Sequence, residues 1–258
     1  MALPLPIAAS PGHGTSLGSA GQFLAGWPGP AIGCFAGRID QPYMSNGWGE
    51  VSRMDDQTEI GQLGALREFY GEPMPSSLVK EVPHLTEPYA APIRASPFVI
   101  LSTAGQDGLD ASPRGGPPGF VRIQDSKTLI LPDRSGNNRV DSLSNLVGDP
   151  RIAMIFLVPG VSECMRVNGH ARISVDQGLL QSFADTNGRL PPVAIIISID
   201  TCYAQCSQAI TRAKLWDLDA RVDRTTLPSF GKMLQACRAE FDGAAFDTQM
   251  AALGAPED

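Results

Sequence analysis

Between residues 55 and 217 the apolar residues keep two different rhythms, and the switches between them mark the elements. Ile60, Leu63, Leu66, Phe69 and Tyr70 fall at helical spacing, with Asp55 or Asp56 placed to cap the first turn and Gly71, Pro73 and Pro75 to stop the last. Short helices are expected next over Ser76–Val82 and Pro88–Ala95. The rhythm then shortens. Phe98–Thr103, Leu109–Ser112, Phe120–Ile123 and Thr128–Leu131 read as short strands separated by turn residues, a pattern that favours an antiparallel meander. Ile152–Val158 and Val193–Ile199 are continuous apolar runs bounded by prolines, as expected of strands buried on both faces. Between them Met165–Ile173 alternates, with Arg166, Asn168 and His170 on one side and Val167 and Ala171 on the other, which fits a half-exposed strand. One helix interrupts the strands over Asn138–Val147, where Val140, Leu143, Leu146 and Val147 form an apolar face and Arg139, Asp141, Ser142 and Asn145 turn toward solvent or ligand. Gly148 and Pro150 end it. Two further helices are expected over Pro228–Ala236 and Arg238–Leu253, and no internal repeat is found.

Composition divides the chain more coarsely. Residues 1–53 are rich in Gly, Pro, Ala and Ser, and sustain neither rhythm, so they offer little to pack. They read either as a mobile extension, with Met54 as the functional start, or as an arm that Phe23, Trp27, Phe35 and Trp48 anchor on a partner subunit. The stretch lacks the basic start and continuous apolar core of a signal peptide, and no apolar run approaches the roughly 20 residues of a membrane span. A cytoplasmic protein with no membrane partner is expected. The formal net charge of -7 argues against nucleic acid. A chain of 258 residues that is 43% hydrophobic can bury a large core, and one main domain over 54–220, followed by a helical extension over 221–258, is the simplest organisation. Its five cysteines and three histidines are scattered, so neither a disulfide framework nor a metal ligand set is expected.

The chemistry concentrates between Ser112 and Ser142, where SPRGGPPGFVRI leads into LPDRSGNNRVDS. Two arginines, Arg134 and Arg139, flank Gly136, Asn137 and Asn138 just ahead of the expected helix. Helix starts expose unpaired N–H groups and partial positive charge, so this arrangement suits a phosphate; it also suits an ordinary N-cap turn.

The wording of the longer segment resembles the pyridoxamine 5'-phosphate oxidase-like family of FMN-binding split-barrel proteins. SPFVILST (Ser96–Thr103), Asp107 and Gly108, SPRGGPPGFV (Ser112–Val121), LPDRSGNNRVDSLSNL (Leu131–Leu146), DPRIAMIFLVPG (Asp149–Gly160) and MRVNGHARIS (Met165–Ser174) occur in the family's order and spacing. CSQAITRAKLW (Cys206–Trp216) fits its C-terminal signature. The resemblance covers roughly residues 60–217. It implies a fold that is mainly β with peripheral helices, an FMN-binding split β-barrel.

By that resemblance Arg114, Arg134, Asn138 and Arg139 would surround the FMN phosphate, for which the planar arginine fork is well shaped. The residue-level alternative is that these arginines are solvated or pair with Asp110, Asp133 and Asp141. Ser112, Pro113 and the stretch from Leu131 to Asp133 would pass beside the ribityl chain and the ring edge. FMN would sit at a homodimer interface, and the second subunit would contribute Gln208, Arg212, Lys214 and Trp216. Trp216 would be either an aromatic wall near the flavin or an apolar plug at the end of the barrel. Two positions depart from the family's pattern: Gln208 stands where relatives commonly carry lysine, and Cys164 stands where the oxidases proper often place glutamine. The C-terminal arginine-and-tryptophan pattern that holds pyridoxal phosphate in those enzymes is not visible.

The reading that follows is an FMN-dependent oxidoreductase acting on an unidentified small molecule by flavin hydride transfer, with no side-chain catalyst assigned. Its competitor is a non-catalytic flavin or haem carrier of the same fold. A shared site predicts that the protein is a dimer in solution and remains one when it begins at Met54. Light scattering checks this: a flavin-loaded monomer contradicts the shared site, and a monomer appearing only after truncation makes the Gly/Pro-rich arm the link between subunits.

Overall fold

The computed structural model describes residues 60–253 apart from residues 107 and 135. The expected cap at Asp55 or Asp56 and the readings of residues 1–53 lie outside the described residues. Helix α1 (Leu63–Tyr70) stops at Gly71, whose φ of 66° lets its N–H reach back to the Arg67 carbonyl. Short α2 (Pro75–Val79) and α3 (Glu87–Ala95) follow, and α3 buries Ala90 and Ile93.

Seven strands make one antiparallel sheet: β1 (Phe98–Gly105), β2 (Gly108–Gly115), β3 (Arg122–Asp125), β4 (Thr128–Asp133), β5 (Arg151–Leu157), β6 (Cys164–Ser174) and β7 (Val193–Gln205). Their spatial order is β2-β1-β5-β6-β7-β4-β3. The expected meander is therefore corrected. Two hairpins, β1–β2 and β3–β4, flank a true meander of β5, β6 and β7, because β1 pairs with β5 and β4 with β7. The architecture is mainly β with peripheral helices, the split-barrel arrangement.

One face of the sheet carries the core, in which Val99, Leu101, Leu129, Leu131, Met154, Phe156, Met165, Val167, Ile195 and Ile197 are buried. On β6 the alternation is as expected, with Met165, Val167 and Ala171 buried while Arg166 and Asn168 are half-exposed and His170 is exposed. The expectation that β5 and β7 are buried on both faces is not met. On β5 the buried residues Ile152, Met154 and Phe156 alternate with half-exposed Ala153, Ile155 and Leu157, so the outer face is apolar and only partly covered by the described residues.

Helix α4 (Asp141–Gly148) starts three residues later than expected, since Asn138 and Val140 take left-handed backbone angles (φ 61° and 50°) that a helix cannot contain. Its apolar face is also narrower: Leu146 is buried and Leu143 packs against the core, but Val140 and Val147 are 52% and 81% exposed. Asn145 ties the helix to β1 by donating to Thr103 Oγ1 at 3.1 Å. Gly105 permits this approach, because a Cβ there would overlap the Asn145 amide. Short α5 (Gln177–Gln181) and α6 (Gln208–Arg212) precede and follow β7. At the C-terminal end α7 (Phe230–Cys237) and α8 (Gly243–Leu253) cross at Gly231 and Gly243, with Phe230, Phe241 and Phe246 packed edge-on around the crossing. Among the described residues no helix is long and apolar enough to cross a membrane.

The β6–β7 ladder shifts register between Asn168 and Gly169, where Asp200 is the extra residue. A Cβ on Gly169 would lie 2.0 Å from the Ser198 carbonyl oxygen, a backbone atom that cannot yield. Gly169→Ala is therefore expected to lose about 3 kcal/mol or more of stability. Gly148→Ala, with no atom within 4 Å of the new methyl, should be neutral or gain up to about 1 kcal/mol. Urea unfolding of the two variants checks the contrast.

Candidate functional site

An opening lies where β2 and the end of β4 approach each other. β2 is an edge strand and β4 is second from the opposite edge, yet Arg114 Nε and Asp133 Oδ1 are 3.5 Å apart. The sheet has curled until its two ends meet through side chains. The resulting cavity, about 740 Å³, is lined by Ser112–Gly115 of β2, Phe120, the end of β4, the loop running into α4, and Pro192 and Val193 at the start of β7. Its size is that of a site for a cofactor or other small ligand.

The polar groups form one connected set. Arg114 is mostly covered, as is Asp133, with 25% and 17% of their side chains exposed. The Arg114 guanidinium also donates to Ser142 Oγ at 3.3 Å, and Ser142 donates to Asp110 Oδ2 at 2.5 Å. Ser112 Oγ donates to the same carboxylate at 2.9 Å. Arg139, more exposed, donates through Nε to Asp141 at 2.8 Å, while its backbone N–H donates to Asn137 Oδ1. Arg134 makes no ion pair among the described residues. Of the carboxylates weighed from sequence as arginine partners, Asp133 takes Arg114 and Asp141 takes Arg139, whereas Asp110 accepts from Ser112 and Ser142 and pairs with no arginine among the described residues.

Ser112, Pro113, Arg114, Asp133, Arg134, Asn138 and Arg139 thus all border one cavity. Leu131 does not. Its side chain is fully buried in the core cluster, because β4 turns it away from the opening. Gln208, Arg212, Lys214 and Trp216 lie outside the cavity of their own chain, and Trp216 donates through Nε1 to the Val161 carbonyl at 2.8 Å. Cys164 also lies outside it, at the start of β6 opposite Gln205. Burial pushes the Cys164 thiol up, and the charges of Arg166 and Lys80 pull it part of the way back. Sequence reasoning missed Ser142 as the buried centre of the polar set. It stood on the expected polar face of the helix, but its partners Asp110 and Arg114 lie 32 and 28 residues away. Among the described residues no three His, Cys, Asp or Glu side chains gather to hold a metal ion.

A family model described as pyridoxamine 5'-phosphate oxidase matches residues 85–206, the span from the end of α2's loop to the end of β7. Over that span the chain resembles the pyridoxamine 5'-phosphate oxidase-like family. That segment contains the whole seven-stranded sheet and every residue that lines the cavity. Among solved structures the chain is similar to HupZ of Group A Streptococcus, at 17% identity and a TM-score of 0.40, over 46% of this chain and 93% of that one. It is similar to a putative pyridoxamine 5'-phosphate oxidase from Lactobacillus delbrueckii, at 20% identity and a TM-score of 0.35, over 47% and 95%. It is also similar to an FAD binding protein from Mycobacterium smegmatis, at 13% identity and a TM-score of 0.34, over 48% and 97%. No curated protein matches.

Asp133 supplies a direct test of the cavity's electrostatics. Burial pushes its carboxyl up from the ordinary value, and Arg114 only partly opposes this. A raised folded-state value means that the folded chain holds this proton more tightly than the unfolded chain. The stability so gained is complete below the unfolded value and is lost as pH rises through the folded one. Asp133→Asn should therefore be more stable than wild type at pH 7, with the gap closing as pH falls toward 4. Urea unfolding across that range checks it.

Proposed function

We propose that the cavity binds FMN and that the protein is an FMN-dependent oxidoreductase acting on a small molecule. The observation that carries this reading is the convergence of Arg114, Arg134, Arg139 and the start of α4 on one cavity of ligand size. The loop residues suit a phosphate: Asn138 and Val140 take left-handed backbone angles just ahead of the start of α4, and arginine forks supply matching donors. Asp133 and Asp141 do not spoil the fit, because each occupies only part of its arginine and leaves other N–H groups for phosphate oxygens.

FMN, when bound, would supply hydride transfer at N5. The chain's own residues would bind and orient it. Arg114 and Arg139 would hold the phosphate, with Arg134 as added positive charge. β2, bonded to a neighbour on one side only, leaves outward main-chain N–H and C=O groups at Ser112–Gly115 for the polar edge of a planar ring. Phe120, Pro192 and Val193 would exclude water from the apolar side. In the proposed homodimer Gln208, Arg212, Lys214 and Trp216 reach the partner's cavity, since they lie outside their own.

Arg114→Ala and Arg139→Ala remove charge-assisted contacts of about 1.5 to 3 kcal/mol, so each should weaken FMN roughly tenfold to a hundredfold. Riboflavin, which lacks the phosphate, should bind both variants nearly as well as wild type. Titration of flavin fluorescence checks this, and equal losses for both ligands contradict the phosphate assignment. Anaerobic bleaching of the bound flavin by NADH or NADPH, with reoxidation by an acceptor, separates the enzyme from a carrier.

A further inference from the structure

Five of the fourteen arginines among the described residues are ion-paired. Arg94, Arg114, Arg139, Arg151 and Arg189 each sit against a carboxylate. Arg166 is different. It lies near the start of β6, half-buried, with Ile155 opposite it on β5 and Tyr203 opposite it on β7. Its other neighbours on that face of the sheet are Ala153, Cys164, Asn168, Thr201 and Gln205, none of them acidic. The guanidinium instead lies over the Tyr203 ring, 5.0 Å from its centroid. A second cation, Lys80, approaches the same ring at 5.4 Å. Its backbone is pinned in place by Tyr89, whose hydroxyl donates to the Lys80 carbonyl at 2.7 Å.

Two like charges on one ring repel, and each cation–π contact returns only a modest gain at a partly exposed site. No carboxylate among the described residues neutralises either cation, and no acceptor among them takes the Arg166 donors. In a chain of net charge -7, this is positive charge held in place without an acidic partner among the described residues. A planar fork, an aromatic ring and a flexible ammonium together match one chemistry: a flat ring bearing a carboxylate.

We propose that Arg166, Tyr203 and Lys80 form a subsite for an aromatic carboxylate. The subsite stands on its own geometry. Its assignment to the substrate rests on the proposed flavin-dependent dimer, because β7 runs from Tyr203 directly into α6 and on to Trp216, the segment that reading delivers to the partner's cavity.

The test is calorimetric titration of the full-length protein with benzoate, using benzamide as the uncharged control. Wild type should bind benzoate saturably and benzamide at least about tenfold more weakly. Arg166→Gln should lose benzoate affinity by at least about tenfold, and Arg166→Lys, which keeps the charge but not the planar fork, should fall between wild type and Arg166→Gln. Equal benzoate affinity in wild type and Arg166→Gln, or no saturable binding in wild type, overturns the subsite. FMN titration of the same proteins separates the two claims: benzoate binding that depends on Arg166 in a protein that takes up no FMN sustains the subsite and refutes the flavin reading. With FMN bound, benzoate should shift the flavin absorption band in wild type; Arg166-dependent binding with an unmoved band overturns the assignment to substrate.

Discussion

The approach of Arg114 to Asp133 across the mouth of the curled sheet is the contact on which the site depends. Hydrogen bonding alone would leave β2 as a free edge far from β4, since five ladder steps separate them in the strand order. Twist brings the ends together, and side chains close the gap that backbone ladders leave open. An ion pair can do this where a ladder cannot, because it needs no register. The opening it guards is consequently lined by polar groups on one wall and by Phe120 and Val193 on another. A cavity of that mixed character suits a ligand that is charged at one end and flat and weakly polar at the other.

Holding such an opening ready costs stability in several places. Asp133 keeps its carboxyl in a mostly covered position, where burial disfavours its charge. Val140, a β-branched residue, sits at φ 50°, a conformation that costs on the order of 1 to 3 kcal/mol. Val140 also remains exposed, so packing does not explain why the chain tolerates it. These strains fall between Asp133 and Asp141, in the loop that brings Arg134, Asn138 and Arg139 to the border of one cavity. The core supports this from behind: Leu131 and Leu146, on either side of the loop, are anchored in the main cluster and fix its two ends.

The sequence rhythm carried the elements but not their neighbours. The alternation in Met165–Ile173 disclosed β6 and its exposed face, since period and burial are both local properties of a strand. Strand order was illegible: β1 meets β5 and β4 meets β7 across long separations, and no turn signal reports such pairings. The start of α4 was misplaced because Asn138–Val140 looks helical in apolar spacing, whereas its backbone angles serve the loop. Val147 likewise holds a helical position, but nothing packs over it. The arginines of the site were legible from their turn residues and from the family's wording. Ser142 and the Arg166–Tyr203–Lys80 cluster were not, because each is defined by residues on different strands or helices.

The claim that most directly supports or sinks this account is that the arginines enclose a phosphate dianion. Phosphorus NMR of FMN mixed with the full-length protein reads that state at the atom concerned. A free phosphate monoester titrates with a pKa of about 6. Inside a cradle formed by Arg114, Arg134 and Arg139 the bound resonance should stay at the dianion position from pH 7 down to pH 5, distinct from free FMN. A bound resonance that follows the free titration curve would place the phosphate in open solvent and contradict the account.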